Sequence, residues 1–573
     1  AVAVENPRDD DLNDGLLPQL PPGHVAILPL SDGQPDCAGL KTVNLIGLAE
    51  VASDDPEPEF VDFNGLGEIV VTMQENNHIV IIDAASAAVS GHFPAGTVDL
   101  VNVDVDEEGA LTFDGEQLGR PREPDAVKWL DDSRFATADE GDYEGGSRGF
   151  TIFGKDGSIL YEPGLSLEYE IARIGHYPER RSGNKGVEPE GIETARFGDQ
   201  GYLFVNVERA SIVAVYKDIG PEPELVQLLP SGIAPEGSVA IPSRNLFVTA
   251  NEADLIEDGG VRSQVMVYEL QDAEPSYPTL RSVIDDQGRP IGWGALSGLA
   301  ADPDTPGLLY AVNDSFYRMQ PTIFTIDATD MPATITAATR VTRAGYPAQK
   351  LDLEGVVADG EGGFWLASEG RTDRVIPHAL YHVDSTGKID QEIGFPEALM
   401  AVERRFGAEG ITKIGEGDDM TLWVAIQREW RDDEKGTVKL VSYQPATKAW
   451  GAVRYPLDKG EKGWVGLSEI TAHGNDVYIV ERDNQIGQAA RIKRLYRVPL
   501  SDMQPAELGD DLPTVSKELV RDFLPDLQES GGYVVDKVEG FAIDTAGDAF
   551  VITDNDGVDD SSGETLFLNL GKL

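Results

Sequence analysis

The sequence predicts an all-β chain assembled from repeated four-stranded units, and three observations carry that prediction. A short motif, acid-bearing in eight of its copies, returns nine times along the 573 residues. Each copy is followed by an apolar run rich in β-branched and aromatic residues that ends in or near an acid. Glycine and aspartate punctuate the intervals between runs, as turns between short strands require.

The copies read as follows. Glu188-Pro-Glu-Gly-Ile192 precedes Tyr202–Glu208, and Pro235-Glu-Gly-Ser-Val239 precedes Leu246–Glu252. Asp352-Leu-Glu-Gly-Val356 precedes Gly363–Glu369, and Ala408-Glu-Gly-Ile411 precedes Leu422–Ile426. Leu467-Ser-Glu-Ile470 precedes Val477–Glu481, and Val538-Glu-Gly-Phe541 precedes Ala549–Asp554. Weaker copies open at Glu57-Pro-Glu59, Glu123-Pro-Asp125 and Leu296-Ser-Gly-Leu299. Anchored at 59, 125, 190, 236, 297, 354, 409, 469 and 539, they step by 46 to 70 residues, a repeat period that marks stacked supersecondary units.

One unit shows the internal plan. Gly355–Ala358, Phe364–Ala367, Ala379–Val383 and Ile389–Ile393 read as four strands, separated by turns such as Asp359–Gly363 and Asp384–Gly387. Four antiparallel strands repeated radially make a β-propeller blade. Nine units exceed the usual four to eight blades, so the sequence predicts two propellers, with one large propeller as the alternative. Residues 273–294, carrying Pro275, Pro278, Asp285–Gly288 and Pro290, form the expected junction between a 1–272 region and a 295–573 domain. Residues 1–50 lack an opening acid-glycine strand, so the chain reads as starting inside a blade after loss of an N-terminal segment. The last unit, ending at Leu566–Leu570, reads one strand short.

Composition narrows the function classes. Lys plus Arg total 46 against 101 Asp plus Glu, a net charge of −55. Such a surface repels nucleic acid and anionic lipid, which removes both as partners, and it suits hard divalent cations. Cys37 is the single cysteine, excluding intrachain disulfides and thiolate metal sites. No apolar run is long enough to span a bilayer. The chain lacks a His-Glu-x-x-His pair, a Gly-x-Ser-x-Gly elbow and a phosphate-binding P-loop, which sets aside zinc proteases, α/β-hydrolases and P-loop enzymes.

What repeats instead is acid. The opening acids Glu190, Glu236, Glu354, Glu409, Glu469 and Glu539 precede one strand of each unit, and Glu208, Glu252, Glu369, Glu481 and Asp554 close the next. An up-down hairpin returns such a pair to one rim of its blade. Together with Glu188, these acids are the expected metal ligands. Convergent carboxylates need cations to stay ionised, and oxygen-only ligands select Ca²⁺, with Mg²⁺ as the other choice. The competing reading is structural, with each acid accepting backbone amides in a turn. A second feature interrupts the repeat: His176-Tyr-Pro-Glu-Arg-Arg-Ser-Gly-Asn-Lys-Gly186 leads straight into Glu188. Its His176, Arg180, Arg181 and Lys185 are the expected catalytic and phosphate-binding groups, since arginine pairs grip phosphoryl oxygens bidentately. A surface loop with local ion pairs is the alternative. Arg209, Arg371, Arg374, Arg428 and Arg482 follow the strand-closing acids in the same manner.

On these motifs the two halves resemble known families. Leu296–Ala300, Asp352–Gly355 with Ala367–Gly370, Ala408–Gly410, Val480–Asp483 and Val538–Gly540 with Thr553–Asn555 resemble the "esterase-like activity of phytase" family. Thr72–Asn77, Thr137–Asp142, Asn184–Gly191, Val207–Arg209 and Thr249–Glu252 resemble the choice-of-anchor I proteins. The resemblance implies propeller folds, export from a bacterial cell to the periplasm or beyond, and calcium-dependent hydrolysis of a small anionic phosphoester. A non-enzymatic cation- or surface-binding propeller is the competing function. A lactonase-like ester hydrolase with one central Ca²⁺ is a third.

Overall fold

The computed structural model describes residues 1–6, 18–529, 531–558 and 561–573, the side chain of Asp258 excepted. Its sheets are small and antiparallel, with one parallel pairing in a junction strand. The chain divides into two units: residues 1–107, 112–172 and 176–277 form the first, and 108–111, 173–175 and 278–573 the second. Among the described residues no helix is long and apolar enough to cross a membrane.

The second unit is a closed ring of five blades. Their inner strands are Leu296–Ala301, Leu353–Ala358, Ala408–Ile414, Val465–His473 and Val538–Ile543. Each touches the next, and the last returns to the first. The reason lies in strand periodicity: successive side chains leave on opposite faces, so one strand feeds two interblade cores. In Thr421–Ile426, Leu422, Val424 and Ile426 pack toward the preceding blade with Trp365 and Leu380. Trp423 and Ala425 pack toward the following one with Leu467 and Ile479. The ring closes where Leu296, Leu309 and Phe324 of the first blade bury Phe550, Ile552 and Phe567 of the last.

The first unit carries blades opening at Val2–Val4, Pro58–Phe63, Val127–Trp129, Pro189–Phe197 and Pro235–Ile241, each inner strand against the next. Val2–Val4 takes an inner position in a three-stranded blade. Phe204 stacks on Phe247 at 4.1 Å where the fourth and fifth of these blades meet.

The predicted blade starts agree with the observed strands, the copy at 123 opening late, at Val127. The 273–294 segment is more than a link. Leu280–Ser282 pairs parallel to Ala333–Arg340 and extends the first blade of the second unit to five strands. Among the described residues the final blade has three strands, as its sequence implied.

Candidate functional site

In four inner strands the repeated Glu-Gly pair is a β-bulge at the strand's mouth. Register skips Glu190 between Pro189 and Gly191, Glu354 between Leu353 and Gly355, Glu409 between Ala408 and Gly410, and Glu539 between Val538 and Gly540. A bulged residue leaves the ladder and its side chain is re-aimed, so the acid turns away from the sheet. The glycine has its own reason. A Cβ on Gly191 would lie 2.1 Å from the Glu236 carbonyl oxygen, and one on Gly355 would lie 2.7 Å from the Ile411 nitrogen. Only glycine lets adjacent inner strands approach that closely.

The strand-closing acids return to the same rim through one recurring hydrogen bond. The N–H groups of Glu208, Glu252, Glu369 and Asp554 donate to the carbonyls of Glu188, Ala234, Asp352 and Lys537. Asp314 makes the equivalent bond to Ala295.

In the second unit these devices assemble a carboxylate well. Ligand oxygens of Asp352, Glu354 and Glu369 lie within 4.8 Å of one another. Burial, then Glu409 and Asp352, push Glu354 well above the carboxylate range, and burial pushes Glu409 up likewise. Glu369 is pushed up to about 7 by burial and Asp352, and Asp554 to about 6 by burial. Asp314 rises through burial and Asp554. Two cations enter the well. Lys537 pairs with Asp554 at 2.9 Å, and buried Arg482 holds one oxygen of Glu539. The other oxygen of Glu539, a residue 5% exposed, is buried without a hydrogen-bond partner among the described residues.

Two assigned acids stand elsewhere, and the correction has one cause. In the Val465–His473 blade the skipped residue is Ser468, between Leu467 and Glu469. Glu469 therefore occupies the glycine position, and its carboxylate accepts N–H bonds from Leu299 and Ile470. It does the structural work of the amide-capping alternative. Glu481 sits one residue early for the same reason, fully buried and pairing with Lys517 at 2.6 Å beside half-buried Asp458. Arg482 takes the rim position instead.

The first unit brings together Asp125, Glu140 and Glu190, and also Glu140, Glu188 and Glu208. Glu190 is pushed up to about 11 by burial and Glu208, and Glu208 to about 7 by burial. Glu236 is raised by burial and by exposed Glu252 beside it. The 176–190 loop reaches this group, but its cations point into it. Arg181 Nε donates to Glu188 at 2.6 Å, and Lys185 Nζ donates to Glu140 at 2.7 Å and to the Gly141 carbonyl at 2.6 Å. Arg209 pairs with Glu188 and Glu208. Arg180 is exposed. His176, expected among the catalytic groups, is placed elsewhere. It is fully buried, both ring nitrogens are bonded to the Ala210 carbonyl and the Tyr277 hydroxyl, and burial lowers it to about 4. Its hydrophobic surroundings, Tyr177 and Ala210 among them, make it an anchor of the loop.

Sequence reasoning missed Asp125, Glu140, Asp314 and Asp352. The first and last flank motif copies in plain sight, and the other two follow apolar runs as Glu369 does.

Comparison with known families agrees with the division into halves. The family model described as esterase-like activity of phytase matches residues 291–557, and the choice-of-anchor I domain matches 37–145 and 140–221. The first match points to esterase-like hydrolase chemistry in the half that holds the well. No curated protein matches the chain. Among solved structures, virginiamycin B lyase from Staphylococcus aureus aligns at 12% identity and a TM-score of 0.20, over 74% of this chain and 90% of its own. Hydrazine synthase from Kuenenia stuttgartiensis aligns at 13% and 0.27, over 66% and 95%. Hsv2 from Kluyveromyces lactis aligns at 9% and 0.21, over 70% and 98%.

Proposed function

We propose that this protein hydrolyses a small anionic phosphoester at the carboxylate well of its second unit, with a divalent cation held by Asp352, Glu354 and Glu369. The observation that carries the proposal is this triad of converging oxygens beside the buried, unpartnered oxygen of Glu539. Carboxylates packed so closely are raised out of their ionised range unless a cation balances them. An all-oxygen donor set fits Ca²⁺, with Mg²⁺ as the alternative, and excludes the soft metals. When bound, the cation supplies charge neutralisation and polarises a phosphoryl oxygen.

The chain's own groups divide the remaining work. Arg482 holds one oxygen of Glu539, and the other is buried without a hydrogen-bond partner among the described residues. Glu539 is then placed to accept a proton from the attacking water. The water oxygen bonds to phosphorus, the ester P–O bond breaks, and the departing alcohol oxygen takes its proton from solvent. Lys537, paired with Asp554, brings a positive charge to the anionic substrate. Glu409, raised by burial, adds its negative charge only as a cation enters.

In the first unit, Asp125, Glu140 and Glu190 make a second cation site of structural character, supported by a buried, unpartnered oxygen of Glu190. Arg181, Lys185 and Arg209 neutralise its outer acids, which removes them from phosphate binding in this reading. The choice-of-anchor I match supports a place at a bacterial surface or outside the cell, secreted or periplasmic.

Hydrolysis of bis-p-nitrophenyl phosphate and p-nitrophenyl phosphate tests the proposal. Turnover abolished by EDTA and restored by added Ca²⁺ is the expected result. Turnover indifferent to verified metal removal refutes it, and turnover of lactones alone moves the reading to ester hydrolysis.

A further inference from the structure

Beside the well, the second unit holds a groove of about 540 Å³ lined by Arg404, Phe406, Arg428, Lys435, Lys459 and Trp464. Its charge is the exception in a chain of net charge −55. Among the described residues, Arg404, Arg428, Lys435 and Lys459 form no ion pair within 4.0 Å. The acids present are already engaged: Glu429 accepts the Gly436 N–H, and Asp458 is held by Lys517, Arg494 and Tyr496. Burial, against the opposing pull of neighbouring Glu429 and with a smaller push from Arg404, holds the Arg428 guanidinium below its ordinary value.

The groove is built rather than incidental. Arg405, Phe406, Arg428, Trp464 and Arg482 form an alternating stack of guanidinium and ring. Arg405 lies 5.2 Å from the Phe406 centroid, and Arg428 lies 4.3 Å from Phe406 and 4.8 Å from Trp464. Arg482 lies 5.2 Å from the far side of the series at Trp464. Arginine faces spent on rings leave the N–H edges for other partners. Phe406 pays for its place with φ of +74°, a left-handed conformation that a bulky residue adopts only under constraint. Arg482, the end of the stack, is the same residue that holds Glu539 in the well.

We infer that this groove binds a tetrahedral oxyanion, a phosphate or phosphoryl group, through Arg404, Arg428, Lys435 and Lys459, without any need for a metal ion. It goes beyond the hydrolytic site, since a groove that needs no metal ion holds its anion whether or not the well is loaded. The same chemistry serves free phosphate or a phosphoryl group on an ester, so the test needs an arm for each.

The test is calorimetric titration of the full-length protein in EDTA with inorganic phosphate, then with glycerol phosphate, then with glycerol. Both anions are expected to bind saturably at one site, more weakly as salt rises, and glycerol not at all. Phosphate alone binding would assign the groove to the free ion; glycerol phosphate binding more tightly would assign it to the ester. Removing a charged donor weakens an anion by roughly ten- to a hundredfold, so Arg428→Gln is expected to do so while Glu354→Gln has no effect. Should Arg428→Gln disturb the stacked rings, the exposed pair Lys435→Gln and Lys459→Gln carries the test with the fold intact. Phosphate affinity unchanged in both variants, or binding seen only with added Ca²⁺, overturns the inference.

Discussion

Replacing Arg482 with methionine should destabilise the second unit strongly, and the structure gives the size. Arg482 is 3% exposed and pairs with Glu539, approaches Asp536 at 3.3 Å, donates to Ser468 Oγ at 2.9 Å and lies against Trp464. Methionine keeps the apolar contact and deletes every donor. Glu539 is then left buried with neither oxygen bonded. Breaking one side of a buried ion pair costs about 3–5 kcal/mol, which in a unit of about 300 residues lowers the melting temperature by roughly 5–8 °C. The assay is differential scanning calorimetry of the full chain in EDTA, which follows the transition of this unit. The double variant Arg482→Met with Glu539→Gln removes the stranded charge and should recover most of the loss. Saturating Ca²⁺ should also recover part of it, because a ligand bound only to the native state stabilises by mass action. An Arg482→Met protein as stable as the native one in EDTA refutes the reasoning.

Other consequences follow from the same geometry. Gly410→Ala should destabilise by about 1–3 kcal/mol through overpacking, since its Cβ would lie 2.3 Å from Glu469 Oε1 and 2.6 Å from the Ile470 nitrogen; chemical denaturation measures it, and a neutral result contradicts the close approach. In EDTA, stability should fall as pH rises from the unfolded carboxylate value toward 8, because Glu57, held at about 8, and Glu208 and Glu369, held at about 7, bind protons in the native state that the unfolded chain has released. His176, lowered to about 4, has the opposite sign: its contribution is present above 6.5 and lost as pH falls from there toward 4. Melting temperature against pH should therefore be flattened by Ca²⁺ on the alkaline limb and unchanged on the acid limb. Arg181→Ala should leave phosphoester turnover within about tenfold of native, the loss expected of a catalytic donor being larger; a greater loss restores the 176–190 loop as the reacting site.

The bulge explains how much of the site could be read in advance. A skipped acid followed by a glycine against the neighbouring strand fixes two residue types at once, so Glu190, Glu354, Glu409 and Glu539 were legible without coordinates. Register was the weak point. In one blade serine fills the bulge, and the visible acid, Glu469, lies one residue along in the glycine position, carrying Glu481 out of register with it. Asp314 and Asp352 were passed over because the pattern demanded Glu before Gly. The loop at 176–190 shows a different limit. Clustered charge announces neither its partner nor its burial, and Arg181 and Lys185 found their partners among the very acids they were expected to assist. The stack of Arg428 between Phe406 and Trp464 had no sequence signal, because its members come from three separate strand ends.

Calcium titration of the metal-free protein tests the central claim most directly, with Glu354→Gln and Glu190→Gln measured beside the native chain. The account predicts saturable binding in the native protein, loss of one site together with phosphoester turnover in Glu354→Gln, and loss of a different site with turnover retained in Glu190→Gln. Native-like calcium binding and turnover in Glu354→Gln, with its fold intact, would contradict it.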